Sequence, residues 1–232
     1  MVISDKYKCI FIRIPKTGST TIEKALIAAD PDCISSDNST PPYGHYQASE
    51  VRRIAGEERW NSYYKFSVVR DPYEWVKSNY MDHCRFIIDE GDVAKTVWAM
   101  LTPDRSLPWP DHMEGTGDVA IRETHLLTLV SMIQFWWHGD FMDGGKHGKL
   151  VGQHSWLNEE MDSVAKLENI NQDWKVICKH IGLENDKLGK ENVNQTKKDM
   201  TVVLDYGAQK LVDVIYHHDF LAFGYDKKPS VY

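Results

Sequence analysis

Lys8-Cys9-Ile10-Phe11-Ile12-Arg13-Ile14-Pro15-Lys16-Thr17-Gly18-Ser19-Thr20-Thr21 opens with a short β-branched and aromatic run that Pro15 stops, the pattern of a buried strand. Small polar turn residues follow it, and Ile22 to Ala29 continues in good helix formers until Asp30-Pro31 ends the run. The order strand, loop, helix then recurs. Tyr64-Lys65-Phe66-Ser67-Val68-Val69-Arg70 reads as a second buried strand, and Asp71-Pro72-Tyr73-Glu74 as a helix start. In that start Asp is the N-cap, Pro the first helical residue and Glu the third, and the helix is expected to run to about Ile88. Twice, a polar loop joins the carboxyl end of a strand to the amino end of a helix, the arrangement by which parallel α/β sheets bind anions.

Farther out, Asp30 to Gly44 is rich in Pro, Ser and Asp and reads as a surface loop before a short helix over Gln47 to Ala55. Residues 89–155 form a loop-rich, variable region, with a long apolar helix expected from Val119 to Trp137. Ser163 to Leu167 is expected as a third strand, Asn171 to Ile181 as a helix, and Val203 to His218 as a carboxyl-terminal amphipathic helix. There is no repeat and no clear linker, so residues 1–232 are expected to form one domain.

With 42% hydrophobic and 26% charged residues, a largely disordered or low-complexity chain is excluded. The longest apolar stretch, Leu126 to Trp137, is broken by Thr128, Ser131 and Gln134 and falls short of the ~20 residues of a membrane span. Met1 to Lys8 lacks the apolar core of a secretory signal, so a cytoplasmic chain without membrane attachment is expected. The four cysteines form no CxxC pair, which favours reduced thiols over a disulfide framework or a zinc knuckle, and no metal is expected. His217-His218-Asp219 does not alter this, because adjacent helical residues point in different directions. A net charge of −7 argues against nucleic-acid binding through a broad cationic surface. Any anionic ligand must therefore be gripped locally.

Two places offer such a grip. In Pro15-Lys16-Thr17-Gly18-Ser19-Thr20-Thr21 a helix start, one lysine and several hydroxyls make a compact phosphate cradle. It is like a P-loop, yet it lacks the Walker glycine four to five residues before the lysine. The predicted class is thus α/β, a three-layer P-loop-like domain with a mainly parallel central sheet flanked by helices. At the second place Arg70, at a strand's carboxyl end, can give a phosphate bidentate hydrogen bonds, and Ser78 in the following helix can add another.

Together the two motifs resemble the sulfotransferases that use 3′-phosphoadenosine 5′-phosphosulfate (PAPS). In that family a strand–PKTG[ST]–helix segment grips the donor's 5′-phosphosulfate. A strand ending in V-x-R-[DN]-P, with a serine eight residues after the arginine, grips the 3′-phosphate. Lys166-Leu167-Glu168-Asn169-Ile170 and Asp219-Phe220-Leu221-Ala222-Phe223-Gly224-Tyr225 are also similar to that family, particularly its carbohydrate-modifying, uronyl 2-O-sulfotransferase-like branch. The resemblance implies transfer of a sulfuryl group from PAPS to a hydroxyl of an acceptor, most naturally a carbohydrate, without a metal and with adenosine 3′,5′-bisphosphate as product.

It also implies roles. Lys16 would stabilise the departing phosphate, where negative charge grows in the transition state. Thr17, Gly18, Ser19, Thr20 and Thr21 would hold the 5′ phosphate through backbone N–H groups and hydroxyls, and Arg70 with Ser78 would hold the 3′ phosphate. His45 in Tyr43-Gly44-His45-Tyr46 is similar to a family segment carrying the general base, with Glu50 as runner-up. Lys190 and Asn192 correspond to a loop over the donor, and His154 and Trp156 to a segment near the acceptor. Two rivals stay open: a P-loop-like nucleotide kinase or hydrolase, and a non-catalytic binding module on the same fold.

Overall fold

The structure, a computed structural model, describes residues 1–36, 44–89, 117–123, 126, 127, 129, 130, 152–189 and 200–229. These fall into two compact units made of interleaved segments: Met1–Asp71, Leu150–Asn192 and His218–Tyr225 in the first, and Pro72–Lys149, Val193–His217 and Asp226–Tyr232 in the second.

In chain order the elements are β1 (Val2–Ser4), β2 (Cys9–Ile12), α1 (Ser19–Ala29), β3 (Ile34–Ser35), α2 (Ala48–Ala55), α3 (Glu57–Ser62), β4 (Tyr64–Val69), α4 (Pro72–Asp89) and β5 (Gly117–Ile121). A 3-10 turn at Gln153–Trp156 precedes β6 (Ser163–Lys166), a second 3-10 turn (Leu167–Asn169), α5 (Ile170–Ile181), β7 (Met200–Leu204), α6 (Tyr206–Ile215) and α7 (His217–Phe223).

The first unit is built on a five-stranded sheet of order β3-β1-β2-β4-β6. Strands β2, β4 and β6 run parallel, with Phe11 opposite Phe66 and Val68 opposite Ala165. Strands β1 and β3 extend the sheet antiparallel on the β2 side. Every residue of β2 is buried, because the sheet is covered on both faces. Alternation along the strand sends Cys9 and Phe11 to one side, where they pack with Ile22 and Leu26 of α1 and with Trp174 and Ile177 of α5. Ile10 and Ile12 face the other side, among Val51 and Ala55 of α2 and Trp60 of α3. The expected three strands and the helices after them are present. The antiparallel extension is an addition: Val2–Ser4 is three residues long and acquires its strand identity by pairing with β2.

In the second unit β5 and β7 pair in parallel, Val119 opposite Val202. Tyr73 of α4 donates its hydroxyl to Asp213 of α6, and Trp75 meets the Tyr216 ring edge-on at 5.6 Å. This pairing corrects two expectations. Val119–Ile121 is strand, not the start of a helix, and most of the segment from there to Trp137 lies outside the described residues. Val203 lies in a strand as well. The carboxyl-terminal helix begins only after Asp205, whose carboxylate caps it by accepting the Ala208 N–H at 2.8 Å, and it breaks at Tyr216 before α7. In both segments cross-strand pairing between distant residues overrides the local helical pattern. No helix among the described residues is long and apolar enough to cross a membrane.

Candidate functional site

Strands β2 and β4 are neighbours, with Ile12 in register with Ser67, and Ser67 Oγ donates to the Ile12 carbonyl at 2.8 Å. Because they run parallel, their carboxyl ends reach the same sheet edge about 4.8 Å apart. The loop after β2 leaves that edge with Arg13 turned inward, paired to Glu23 of α1 at 2.7 Å with both side chains buried. Burial pulls the Arg13 guanidinium below its usual range, and the Glu23 charge opposes the shift.

The loop is wound around the Ile14 carbonyl, which accepts both Thr17 Oγ1 and Ser19 Oγ at 3.0 Å. These two hydroxyls are therefore spent on the loop itself. Of the N–H groups and hydroxyls expected to meet a phosphate there, Thr17 and Ser19 keep their backbone N–H groups for an anion. Lys16 sits at φ 63 and Gly18 at φ 75, the left-handed region that a lysine enters only under constraint. Gly18 is also pinned sterically, since a Cβ there would lie 2.7 Å from Leu167 Cδ1. Helix α1 starts directly after it. The Thr21 N–H turns back to the Gly18 carbonyl, while the Ser19 and Thr20 N–H groups belong to the first turn, where no helical carbonyl precedes them. The result is a cradle of backbone dipoles beside one lysine.

The end of β4 is fixed from outside. Gln153, fully buried, accepts the Arg70 N–H through Oε1 at 2.8 Å and donates Nε2 to the Arg70 carbonyl at 2.7 Å. Gln153 is itself anchored by Asp219 of α7, a carboxylate with no exposed surface that accepts the Gln153 and His154 backbone N–H groups, each at 2.8 Å. The same carboxylate accepts His154 Nδ1–H at 2.6 Å. Gly152 makes room for it at φ 83, where a Cβ would stand 2.6 Å from Asp219 Oδ2. Neither Gln153 nor Asp219 was singled out in the sequence as a binding or positioning residue. The signal available was an acidic residue set inside an apolar helix, His217-His218-Asp219-Phe220-Leu221.

His45 stands at the same end of the unit. Its Nδ1–H donates to the Arg13 carbonyl at 3.2 Å, which leaves the lone pair on Nε2, and its ring meets that of Trp156 edge-on at 6.2 Å. Burial first, then the Arg13 charge, pushes the imidazole down to about 3, so it is neutral at any ordinary pH. Glu50 caps a helix. Its Oε2 accepts the Gln47 N–H at 2.8 Å in a capping box at the start of α2, so its carboxylate is engaged in holding a helix. Trp156 is buried, and the Ser155 carbonyl beside it accepts Gln47 Nε2 at 3.2 Å, which ties the 3-10 turn to α2. Ser78 lies in α4 of the second unit, 5% exposed. Lys190 and Asn192 lie outside the described residues. Among the described residues no cluster of His, Cys, Asp and Glu could hold a metal ion.

In comparison with known proteins, the model described as the sulfotransferase family matches residues 1–117, half of the chain. The chain belongs to the sulfotransferase family. Carbohydrate sulfotransferase 10 of Xenopus laevis is 34% identical over 92 residues, covering 34% of this chain and 24% of that protein. The proteins of the same name from Gallus gallus and Homo sapiens are 33% and 29% identical over 92 residues with the same coverage. The chain thus spans about a quarter of the length of these curated relatives. No solved structure matches it. The stretch matched by the sulfotransferase family contains Lys16, His45 and Arg70, whereas Gln153, His154 and Asp219 lie beyond it.

Proposed function

We propose that the chain transfers a sulfuryl group from PAPS to a hydroxyl of a carbohydrate, on a P-loop-like first unit. The observation that carries this reading is the adjacency of β2 and β4. Their parallel ends bring the Lys16 cradle and Arg70 to one sheet edge, as a ligand with two separated phosphates requires. The cradle fits the anionic end of such a donor: its first-turn amides converge beside Lys16, and Gly18 leaves space where a side chain would intrude. The acceptor class is carried over from the relatives, which are carbohydrate sulfotransferases by name.

In this reading the amides of Thr17, Gly18, Ser19 and Thr20, with the Thr20 and Thr21 hydroxyls, hold the 5′ phosphate, and Arg70 holds the 3′ phosphate. The acceptor oxygen forms a bond to sulfur as the bond from sulfur to the phosphate oxygen breaks. Lys16 neutralises the charge growing on that oxygen, an interaction stronger in the transition state than before it. The acceptor proton must pass to a neutral imidazole, and family likeness puts His45 beside the acceptor hydroxyl. Titration calorimetry with adenosine 3′,5′-bisphosphate, PAPS, and ATP with magnesium tests the reading. The two 3′-phosphorylated nucleotides should bind and ATP should bind far more weakly; preference for magnesium-ATP would replace sulfuryl transfer with nucleotide hydrolysis or kinase chemistry.

A further inference from the structure

We propose that His154, oriented by Asp219, is the residue that takes the proton from the acceptor hydroxyl, an inference that rests on the sulfuryl-transfer reading above. The pair has the construction of a proton acceptor. Asp219 is wholly buried, receives two backbone N–H groups and then His154 Nδ1–H at 2.6 Å, a short charge-assisted bond. A carboxylate can only accept there, so the neutral ring keeps its lone pair on Nε2. The His154 side chain is 31% exposed, which leaves Nε2 within reach of a ligand. Among the described residues the polar contact made by Nε2 is Ser155 Oγ at 3.5 Å, longer than a normal O–H···N bond. Among the described residues, Asp219 and His218 face the ring, the His218 ring centroid lying 5.2 Å away.

The position fits as well. His154 follows the glutamine that clasps Arg70 and precedes Trp156, which touches His45, so both imidazoles stand at the edge where β2 and β4 end. They differ in what awaits an added proton. At His45 the ring is desolvated, its Nδ1–H faces a neutral carbonyl, and Arg13 and Lys16 add positive charge. At His154 the ring faces a buried carboxylate that orients it and balances the charge it gains, the division of labour seen in Asp–His pairs of hydrolases. The proton leaves the acceptor O–H for His154 Nε2 while the O–S bond forms and the S–O bond to the departing 5′ phosphate breaks. The imidazolium then returns the proton to water after the products leave. His45, neutral throughout, orients the hydroxyl.

The test uses the full chain with PAPS and water as acceptor, reading release of adenosine 3′,5′-bisphosphate, because water needs the same proton acceptor as a sugar hydroxyl. His154→Ala should lower kcat about 100-fold. The affinity for adenosine 3′,5′-bisphosphate by calorimetry should stay within about threefold, and added imidazole should restore part of the rate. His45→Gln should cost no more than about tenfold. Nitrogen-15 NMR of histidine-labelled wild-type protein should show His154 protonated on Nδ1 and bare on Nε2, a readout that does not depend on any variant folding. Normal turnover by His154→Ala, a larger loss in His45→Gln, failure of imidazole to restore rate, the opposite tautomer, or a wild type that binds the nucleotide without consuming PAPS would each overturn the assignment. A wild type that does not bind adenosine 3′,5′-bisphosphate would instead remove the parent reading.

Discussion

Gln153 holds Arg70 by both of its backbone polar groups, accepting the N–H at 2.8 Å and donating to the carbonyl at 2.7 Å, across 83 residues of sequence. The contact imitates one more rung of the sheet where β4 has run out of partners, and so it fixes the direction in which the Arg70 side chain departs.

Gln153→Ala should therefore be felt at Arg70. Both backbone groups lose a buried partner, which costs about 1–3 kcal/mol of stability. Adenosine 3′,5′-bisphosphate should bind about tenfold more weakly, a change of about 1.4 kcal/mol. Calorimetry and thermal melting measure the two effects. Lower Tm with unchanged nucleotide affinity would mean that the clasp has no part in placing Arg70.

Lys16 carries backbone strain together with its charge, and two variants separate these. At φ 63 a lysine or an alanine is strained by about 1–3 kcal/mol, whereas glycine is at ease. Lys16→Ala and Lys16→Gly should both lower kcat about 100- to 1,000-fold with donor affinity within a few-fold. Lys16→Gly alone should melt higher than Lys16→Ala. Equal Tm values would show that the loop relaxes when the ammonium is gone.

Both strand–turn–helix segments were legible in the sequence because each is local, lying within about 14 residues. Buried runs such as Cys9–Ile12 and Phe66–Val69 announce themselves by composition, and Pro72 marks its helix start. What escaped was set by partners far away. Val2–Ser4 became a strand through Phe11, and Val119–Ile121 through Val202–Leu204. The Thr17 and Ser19 hydroxyls turn back to the Ile14 carbonyl, a contact that residue type alone does not announce. Glu50, the runner-up for the base, accepts the Gln47 N–H at the start of α2. Asp219 reaches back over 65 residues to His154, a distance at which no spacing rule operates.

The Arg13–Glu23 pair should be a weak point for single substitutions. Glu23→Gln leaves a buried guanidinium without its counter-charge, at a cost of about 3–5 kcal/mol. Replacing both partners together with apolar residues of similar volume should recover most of that loss. Chemical denaturation of the two variants measures it. A Glu23→Gln protein as stable as wild type would show that Arg13 finds another anion or water.

His45 should also make the fold acid-sensitive in a defined direction. Its imidazole is held at about 3 in the folded chain against about 6.5 when exposed. Between those values the unfolded chain binds a proton that the folded one refuses, so stability rises with pH across that window and falls as pH drops from 6.5 toward 3. Above 6.5 both states are neutral at this ring and it contributes no slope. Between pH 6.5 and 5 most carboxylates keep their charge, so the effect is separable there. Wild-type Tm should decline over that interval, and His45→Gln, which has no proton to bind, should decline less. Parallel Tm profiles for the two proteins would mean that the folded ring titrates in its ordinary range and that neither burial nor Arg13 governs its charge.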